Sequence, residues 1–360
     1  MAYNRKQRLN DNIKAIETAF ILDREQRTPT ARERLLLERY CGFGGLKCIL
    51  NPARELADAV HWAKSDLELF APTVELHRLI RENSKNESEY KQLMDSLKQS
   101  VLTAFYTPSA ITEALTDVLK EHQIIPEKVL EPSAGIGAFV DSVLDNNPKA
   151  DIMAFEKDLL TGKILRHLHP EQKVRIEGFE KIEKPFNDYF DLAISNIPFG
   201  DVAVFDPSYT AMKGMRALVT RRIHNYFFVK ALDTVRDGGL VAFITSQGVL
   251  NAKNNSAARF MMLYHADLVS AIRLPNNLFT ENANTEVGSD LIILQKNSQK
   301  ESLRGNDNLL DTVYNDENRI PINNYFLEHP ERIIHTTAKL DTDPFGKPAM
   351  IYTHEDGVEG

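Results

Sequence analysis

The 360-residue chain has the composition of an ordinary folded protein, with 42% hydrophobic and 26% charged residues. Its net charge of −8 argues against coating nucleic acid by charge alone, because such binding needs Lys and Arg to neutralise phosphates. We see no apolar run near the roughly 18 residues of a membrane span and no apolar core of a secretory signal at the start. We therefore expect a cytoplasmic protein without a membrane segment, whose nucleic-acid contacts would need a local basic patch or a partner.

The chain contains two cysteines, Cys41 and Cys48. Their spacing lacks the paired pattern of a zinc site, so we expect no metal. The pair fits a reducing compartment better than a disulfide framework.

The first hundred residues are predicted to be helical. Apolar residues at steps of three and four predict the first helix: Leu9, Ile13, Ile16 and Phe20. Thr30 and Glu33 can form a capping box for a second helix, which should end near Tyr40 at the glycines of "CGFGGL". "SEYKQLMDSLKQSVL" predicts another helix, and the polar stretch 81–90 predicts a loop.

From about residue 105, short apolar runs alternate with helical segments. The runs predict strands near 127–132, 151–156, 173–177, 189–195, 239–245, 267–274 and 289–296. Helices are predicted at 109–120, 157–168, 224–236 and 255–264, the third ending at the glycines of "VRDGGLVAFITS". This alternation indicates a mainly parallel sheet, which binds ligands at the carboxyl ends of its strands.

We therefore predict an α/β fold in three regions. Residues 1–100 form a helical region and residues 101–300 the sheet domain. After residue 300 the periodicity weakens, and residues 301–360 are expected to be a C-terminal extension or the start of a further region.

The strongest local signal is "KVLEPSAGIGAFVDSVL". A predicted strand runs into a turn of small residues, and a helix follows. Gly135 and Gly137 allow the backbone to approach a ligand closely, and the helix start presents unpaired N–H groups. This context favours a nucleotide-type binding loop over a simple tight turn. Val140 stands where the dinucleotide fingerprint has its third glycine, which counts against NAD.

Glu156 ends the second predicted strand of the sheet in "DIMAFEKD". A carboxylate at this place can accept hydrogen bonds from the ribose hydroxyls of an adenosine ligand. The alternative is a surface carboxylate, and Asp158 competes for the same role.

Three motifs resemble those of gamma-class N6-adenine DNA methyltransferases and occur in that class's order. "AFYTP" is similar to the segment before the cofactor loop, "EPSAGIG" to that loop, and "SNIPF" to the (Asn/Asp)-Pro-Pro-(aromatic) motif. The match extends over about residues 101–296. "ERYCGFGGL", "SNIPFGD" and "FFVKALDTVRDGGLVAFITSQGVL" are similar to the methylase region of large methylase–helicase proteins of mobile elements and phages.

The resemblance implies a Rossmann-like, S-adenosylmethionine-dependent methyltransferase sheet that acts on DNA. The residues expected to bind the cofactor are Tyr106, Thr107, Glu131, Pro132, Ser133, Ala134, Gly135, Gly137, Glu156 and Phe179. Thr107 has a structural alternative, since with Pro108 it can start the following helix.

The resemblance assigns catalysis to Asn196, Ile197, Pro198 and Phe199. The exocyclic amine of adenine is a poor nucleophile, so acceptors aimed at its hydrogens would stabilise the charge that develops during transfer. The Asn196 side-chain oxygen and the Ile197 carbonyl are the expected acceptors. Phe199 would stack on a base flipped out of the duplex.

Two positions depart from the family pattern. Ile197 replaces the usual first proline and loses one fixed φ angle, although Pro198 still favours extended backbone before it. In "EGFEK", Gly178 stands where an acid often contacts the cofactor adenine. Either Glu177 or Glu180 is expected to compensate.

DNA contacts are expected from Lys213, Arg216, Arg221 and Arg222, because residues 207–224 contain no acid. A solvated loop is the alternative. Phe279 is a weaker candidate for the second face of the base, and a core aromatic is the favoured alternative.

Two other functions stay open: methylation of a glutamine amide in protein, and a noncatalytic DNA-binding or anti-restriction module. "FYTP" favours DNA, whereas Ile197 and Gly178 keep the noncatalytic module open. We find no convincing target-recognition module after residue 296. Low sequence specificity, a specificity subunit or a downstream helicase region is therefore expected.

Overall fold

The computed structural model describes residues 4–103, 106–212, 214–280, 286–303, 307–314, 320–343 and 346–358. Its N-terminal helices are α1 (Arg5–Glu25), α2 (Ala31–Leu37), α3 (Phe70–Glu82) and α4 (Glu87–Thr103). The apolar stripe predicted for α1 is buried, and both arms of the predicted capping box close the start of α2. The loop predicted over 81–90 is shorter than expected, because α3 continues to Glu82 and α4 begins at Glu87.

A seven-stranded sheet forms the centre of the molecule, in the order β3-β2-β1-β4-β5-β7-β6. The strands are β1 (Lys128–Glu131), β2 (Asp151–Phe155), β3 (Lys173–Arg175), β4 (Phe190–Asn196), β5 (Val235–Ser246), β6 (Ala266–Leu274) and β7 (Ser289–Lys296). The first five strands pair in parallel, and β7 runs antiparallel to both β5 and β6. The predicted α/β fold with a mainly parallel sheet is therefore confirmed.

The helices along the sheet follow the predicted alternation. They are α5 (Ser109–Glu121), α6 (Ala138–Asn146), α7 (Leu159–Leu168), α8 (Pro207–Thr210), α9 (Met215–Val219), α10 (Ile223–Thr234), α11 (Gly248–Asn251) and α12 (Ser256–His265). From β1 the chain moves outward to β2 and β3, then returns to form β4 on the other side of β1. Such a reversal opens a crevice at the carboxyl ends of the central strands. This crevice is where the predicted motifs meet.

The sequence predicts that the helix before β5 ends at the glycines of "VRDGGLVAFITS". In the structure α10 already ends at Thr234, and β5 begins at Val235, before the glycines. Val235 is already paired with Phe190, and regular pairing resumes when Leu240 faces Leu192. The residues between form an irregularity in the strand, where Gly238 adopts a φ of +73°. The strand therefore begins before the glycines, because the bulge absorbs them without breaking the pairing of β4 with β5.

The N-terminal helices share an apolar core with the cofactor-loop half of the sheet domain. Leu160, Ile164 and Leu168 of α7 lie in one buried cluster with apolar residues of α1 and α3, and Tyr106 and Ile136 pack against it. The N-terminal helices therefore bury their apolar faces against α7. The predicted boundary between two regions near residue 100 stays a prediction.

The segment after β7 contains structure that periodicity did not predict. β8 (Thr312–Tyr314) pairs with β9 (Pro321–Asn323), and β10 (Thr337–Thr342) pairs with β11 (Pro348–Thr353), with α13 (Asn324–Glu328) between them. β8 and β9 have three residues each, and every residue of β10 is exposed, which is why these strands show no apolar pattern in the sequence. Among the described residues, no helix is long and apolar enough to cross a membrane.

Candidate functional site

A cavity of about 2720 Å³ opens at the carboxyl ends of the central strands. It is lined by the loop after β1, by Glu156 after β2, by Asn196 at the end of β4 and by Ser246 at the end of β5. Its volume exceeds the roughly 300–1,000 Å³ of a typical small-molecule pocket. The cavity therefore has room for a cofactor and a second substrate.

The loop between β1 and α6 is held in a conformation that requires glycine. Gly135 has a φ of +57° and Gly137 a φ of +97°. A Cβ on Gly135 would lie 2.9 Å from the Tyr106 ring, closer than such atoms can approach. The backbone amides of Ala134 and Gly135 donate to the Phe155 carbonyl and the Glu156 carboxylate, each at 2.8 Å. The result is a narrow cradle between the loop and Tyr106.

Two of the predicted cofactor residues shape this loop from below. Glu131 is 1% exposed, and its carboxylate accepts a hydrogen bond from the Ser133 amide at 3.2 Å. Burial raises the pKa of Glu131 to about 8. A Cβ on Gly137 would lie 2.5 Å from Nε2 of His169, so this glycine permits close packing of α6. Pro132, Ser133 and Ala134 line the cavity directly.

Tyr106 and Thr107 both line the cavity beside the loop. The Tyr106 hydroxyl lies 3.3 Å from the Thr161 hydroxyl, and Thr107 is buried. Pro108 is the N-cap of α5, which no side chain caps, so the helix-cap alternative for Thr107 is wrong. Ala104 and Phe105, the first residues of "AFYTP", lie outside the described residues.

Glu156 and Asp158 have different partners. The Glu156 carboxylate accepts hydrogen bonds from the amides of Gly135 and Asp158, at 2.8 and 2.7 Å. Burial and the neighbouring Asp158 charge raise the pKa of Glu156 to about 8. Asp158 caps α7 by accepting from the Thr161 amide at 2.7 Å and also accepts from the Ser96 hydroxyl at 2.8 Å. Both carboxylates line the cavity and each has both oxygens engaged, so the choice of Glu156 over Asp158 stays a prediction.

The space above Gly178 is occupied by the Glu180 carboxylate. A Cβ on Gly178 would lie 2.2 Å from one Glu180 oxygen and 2.5 Å from the other. Glu177 instead accepts a hydrogen bond from Arg175 at 2.6 Å. Of the two acids expected to compensate for Gly178, only Glu180 places its carboxylate where a residue-178 side chain would lie. Phe179, 1% exposed, lies in the cavity floor.

The "SNIPF" segment leaves the sheet directly into the cavity. Asn196, Pro198 and Phe199 are half-buried and line it. The Ile197 side chain is 1% exposed and lies in the apolar core. Its amide donates to the Ile244 carbonyl at 3.0 Å, a hydrogen bond that proline cannot make. The strand ladder thus restrains residue 197 where the family uses a proline ring.

Two of the four basic residues predicted to contact DNA pair with acids from outside residues 207–224. Arg216 donates twice to Asp233, at 2.6 and 2.9 Å, and its assignment to DNA stays a prediction. Arg222 lines the cavity but pairs with Asp201 at 2.9 Å. Arg221 is exposed, and Lys213 lies outside the described residues.

Phe279 does not present a face to the cavity. Its side chain is fully buried at 0% exposure, and its ring meets Phe199 edge to face with 6.4 Å between centroids. The assignment of Phe279 to a base contact is therefore wrong for this conformation. The core alternative describes its position, and the ring supports Phe199 from behind.

Sequence reasoning missed the cavity wall formed by the end of β5 and the start of α10. Ser246, Gln247 and His224 line it. Burial, with a smaller effect of Arg222, lowers the pKa of His224 to about 4 and keeps its ring neutral near pH 7. The position of Ser246 at a strand end was the signal that could have found this wall.

Comparisons with known proteins agree with the motifs. The family model described as N-6 DNA Methylase matches residues 88–340. Defense against restriction protein B of Escherichia phage P1 is 29% identical over 201 residues, 54% of this chain and 8% of that protein. The type II methyltransferase M.XamI of Xanthomonas campestris pv. amaranthicola is 25% identical over 173 residues, 44% of this chain and 33% of that protein.

The type I restriction enzyme EcoKI M protein, a solved structure, has a TM-score of 0.42 and 15% identity, covering 81% of this chain and 63% of that one. The chain matches only a minor part of each of the two curated relatives.

Proposed function

Since the chain belongs to the N-6 DNA methylase family, whose model covers residues 88–340, we propose that it methylates the exocyclic amine of adenine in DNA. S-adenosylmethionine is the cofactor of this methyltransferase family. The observation that carries the proposal is that the glycine loop at Gly135 and the segment from Asn196 to Phe199 line one cavity. The proposed cofactor loop and the segment proposed to bind the target amine therefore share one cavity.

The residues around the loop fit S-adenosylmethionine. Gly135 leaves open a cradle that a Cβ would fill. We assign the ribose hydroxyls to Glu156 and the adenine amine of the cofactor to Glu180, because both carboxylates line the cavity. When bound, the cofactor supplies a methyl group on a positively charged sulfur, which makes that methyl electrophilic.

The protein's part in the reaction is to hold and polarise the amine of the target adenine. The Asn196 side-chain oxygen and the Ile197 carbonyl accept hydrogen bonds from its two N–H groups and stabilise positive charge as it develops on nitrogen. The Ile197 amide donates a hydrogen bond to the Ile244 carbonyl, which fixes the peptide plane before Ile197. Pro198 favours extended backbone at Ile197, which directs the Ile197 carbonyl. Phe199 stacks on the flipped base, backed by Phe279.

Removing the Glu180 carboxylate is expected to weaken cofactor binding more than removing that of Glu177. Glu180→Ala should raise the dissociation constant for S-adenosylmethionine roughly tenfold or more, because a hydrogen bond to a charged group is lost. Glu177→Ala is the matched control, since its carboxylate pairs with Arg175. Calorimetry on both variants measures the difference, and equal affinities would remove Glu180 from the cofactor site.

Cofactor affinity is expected to rise with pH through the range in which Glu156 ionises. Its pKa in the free protein is about 8, and the ribose hydroxyls donate to the ionised form. Below about pH 8, affinity should therefore fall by up to tenfold per pH unit. The effect of Glu156 on folding stability has the opposite sign. The folded protein favours the neutral carboxyl, so the contribution of Glu156 to folding stability is lost as pH rises from 4.5 towards about 8.

The control for this pH dependence is Glu156→Gln, which cannot ionise. Titration of both proteins by calorimetry between about pH 6 and pH 9 separates this carboxyl from ionisation of the cofactor itself. The same pH profile in both proteins would show that Glu156 does not contact the ligand.

Transfer of a tritiated methyl group tests the proposed function directly. The protein is incubated with labelled S-adenosylmethionine and unmethylated DNA, and the DNA is digested to nucleosides. Label is expected in N6-methyladenine. Label in cytosine, or in the protein but not in DNA, overturns the proposal, and label in glutamine would support the protein-amide alternative.

An anti-restriction role without methyl transfer is the second candidate. It is favoured by the similarity to Defense against restriction protein B, which is 29% identical over 201 residues. Cofactor binding without transfer to any DNA would support it. Sequence recognition by a specificity subunit or a downstream helicase region stays a prediction, as does low intrinsic specificity.

A further inference from the structure

The loop that follows "SNIPF" carries a strongly exposed aromatic side chain at the edge of the cavity. Phe205 is 78% exposed and Val202 is 60% exposed, and both line the cavity. Large apolar side chains at such exposure are common singly, but here the pair continues the wall that contains Phe199. The exposed side chains therefore border the place assigned to the flipped base.

The exposure of Phe205 comes from a backbone that is held on both sides. Before it, the Val204 amide donates to the Thr220 carbonyl at 2.8 Å. After it, Asp206 is 3% exposed and accepts hydrogen bonds from the Tyr226 hydroxyl at 2.7 Å and from Lys230 at 3.3 Å. Because its neighbours are tied to the folded core, the ring is presented outward.

The start of the loop is also fixed. Asp201 pairs with Arg222 at 2.9 Å, and Arg222 donates to Asn255 at 2.7 Å. These contacts attach the loop to α10 and to the turn before α12, so it does not depend on DNA to take its shape.

We propose that Phe205 enters duplex DNA and fills the gap left by the flipped adenine, with Val202 packing beside it. This inference rests on the proposed function, since it needs a base drawn into the cavity next to Phe199. Flipping leaves neighbouring bases without a stacking partner, and an aromatic ring that replaces the base recovers part of that stacking. Phe205 would thereby stabilise the flipped state of duplex DNA and contribute nothing to an adenine that is already unpaired.

Methylation of native and heat-denatured DNA separates this role from a general one. Phe205→Ala should lose about tenfold or more in kcat/KM on duplex DNA, which corresponds to the stacking free energy of one base on an aromatic ring. On single-stranded DNA the same variant should lose little. Phe205→Trp should restore activity on the duplex. The matched control is Tyr264→Ala, an aromatic residue 48% exposed on α12.

A binding measurement keeps the inference independent of catalysis. Wild-type protein should bind a duplex with one abasic site more tightly than the intact duplex in fluorescence anisotropy, and Phe205→Ala should lose that preference. Absence of the preference in the wild type, or equal losses of activity on both DNA forms, overturns the role of Phe205. If the preference is present and is lost in Phe205→Ala but adenine is never labelled, the methylation proposal fails while the insertion of Phe205 into the duplex stands.

A protein partner is the alternative occupant of the surface around Phe205. If Phe205→Ala methylates duplex DNA normally and binds both duplexes as the wild type does, the inference is wrong, and a protein partner becomes the candidate occupant of this surface.

Discussion

Replacing Asn196 with alanine is expected to slow methyl transfer by about 10²–10³-fold while S-adenosylmethionine still binds. Asn196 stands at the end of β4 and lines the cavity, so its side chain can reach a base there without supporting the glycine loop. Losing one preorganised group that stabilises developing charge costs about 10²–10³ in kcat. The tritium assay measures turnover, and calorimetry measures cofactor affinity in the same preparation.

Two further variants sharpen that result. Asn196→Asp keeps an acceptor oxygen and should retain more activity than the alanine variant, because the family motif accepts either residue. Asn10→Ala, on α1 away from the cavity, controls for the loss of an asparagine elsewhere. Normal turnover by Asn196→Ala would remove this residue from the reaction, and loss of cofactor binding would show that it acts on the loop instead.

The second large effect is expected from Gly135→Asp, which should weaken S-adenosylmethionine binding by about a hundredfold. The new Cβ would lie 2.9 Å from the Tyr106 ring, at a φ of +57°. Side chains in this backbone region cost about 1–2 kcal/mol. The added carboxylate would also disfavour ionisation of Glu156, which accepts a hydrogen bond from the residue-135 amide and must ionise to bind the ribose hydroxyls. The free loop can relax to avoid these costs, whereas the bound loop cannot, so they appear as lost affinity.

A control variant at another glycine distinguishes the steric effect of a side chain in the cofactor loop from the effect of backbone strain. Gly346, at a φ of +78°, has no atom within 4 Å of an added Cβ. Gly346→Asp should therefore carry similar backbone strain and leave cofactor affinity unchanged in calorimetry. Unchanged affinity in Gly135→Asp would contradict the cofactor-loop assignment. Equal weakening in both variants would instead indicate a general loss of stability.

The alternation of apolar runs and helical segments predicted all seven strands of the sheet. This succeeded because parallel strands covered on both faces must be apolar along their length, as Leu192, Ala193 and Ile194 are in β4. The order of the sheet did not follow from the pattern. β8, which has three residues, and β10, which is exposed along its whole length, were missed because neither carries an apolar run.

The parts of the candidate site that depend on adjacent residues could be predicted from the sequence. "EPSAGIG" and "SNIPF" each combine a strand end with a turn, and strand ends of one parallel sheet meet at one edge. The ion pairs of the basic segment could not be predicted, for the opposite reason. Asp233 lies outside it in sequence but pairs with Arg216 in the fold.

By itself, the sequence determined the glycine loop, the "SNIPF" segment at a strand end and the family they belong to, because each depends on neighbouring residue types. Only the tertiary structure decided how the two departures are accommodated. Ile197 is restrained by a hydrogen bond to Ile244, and the Glu180 carboxylate fills the space above Gly178. Both are contacts that the order of residues does not specify, since they depend on strand register and on side-chain direction after folding.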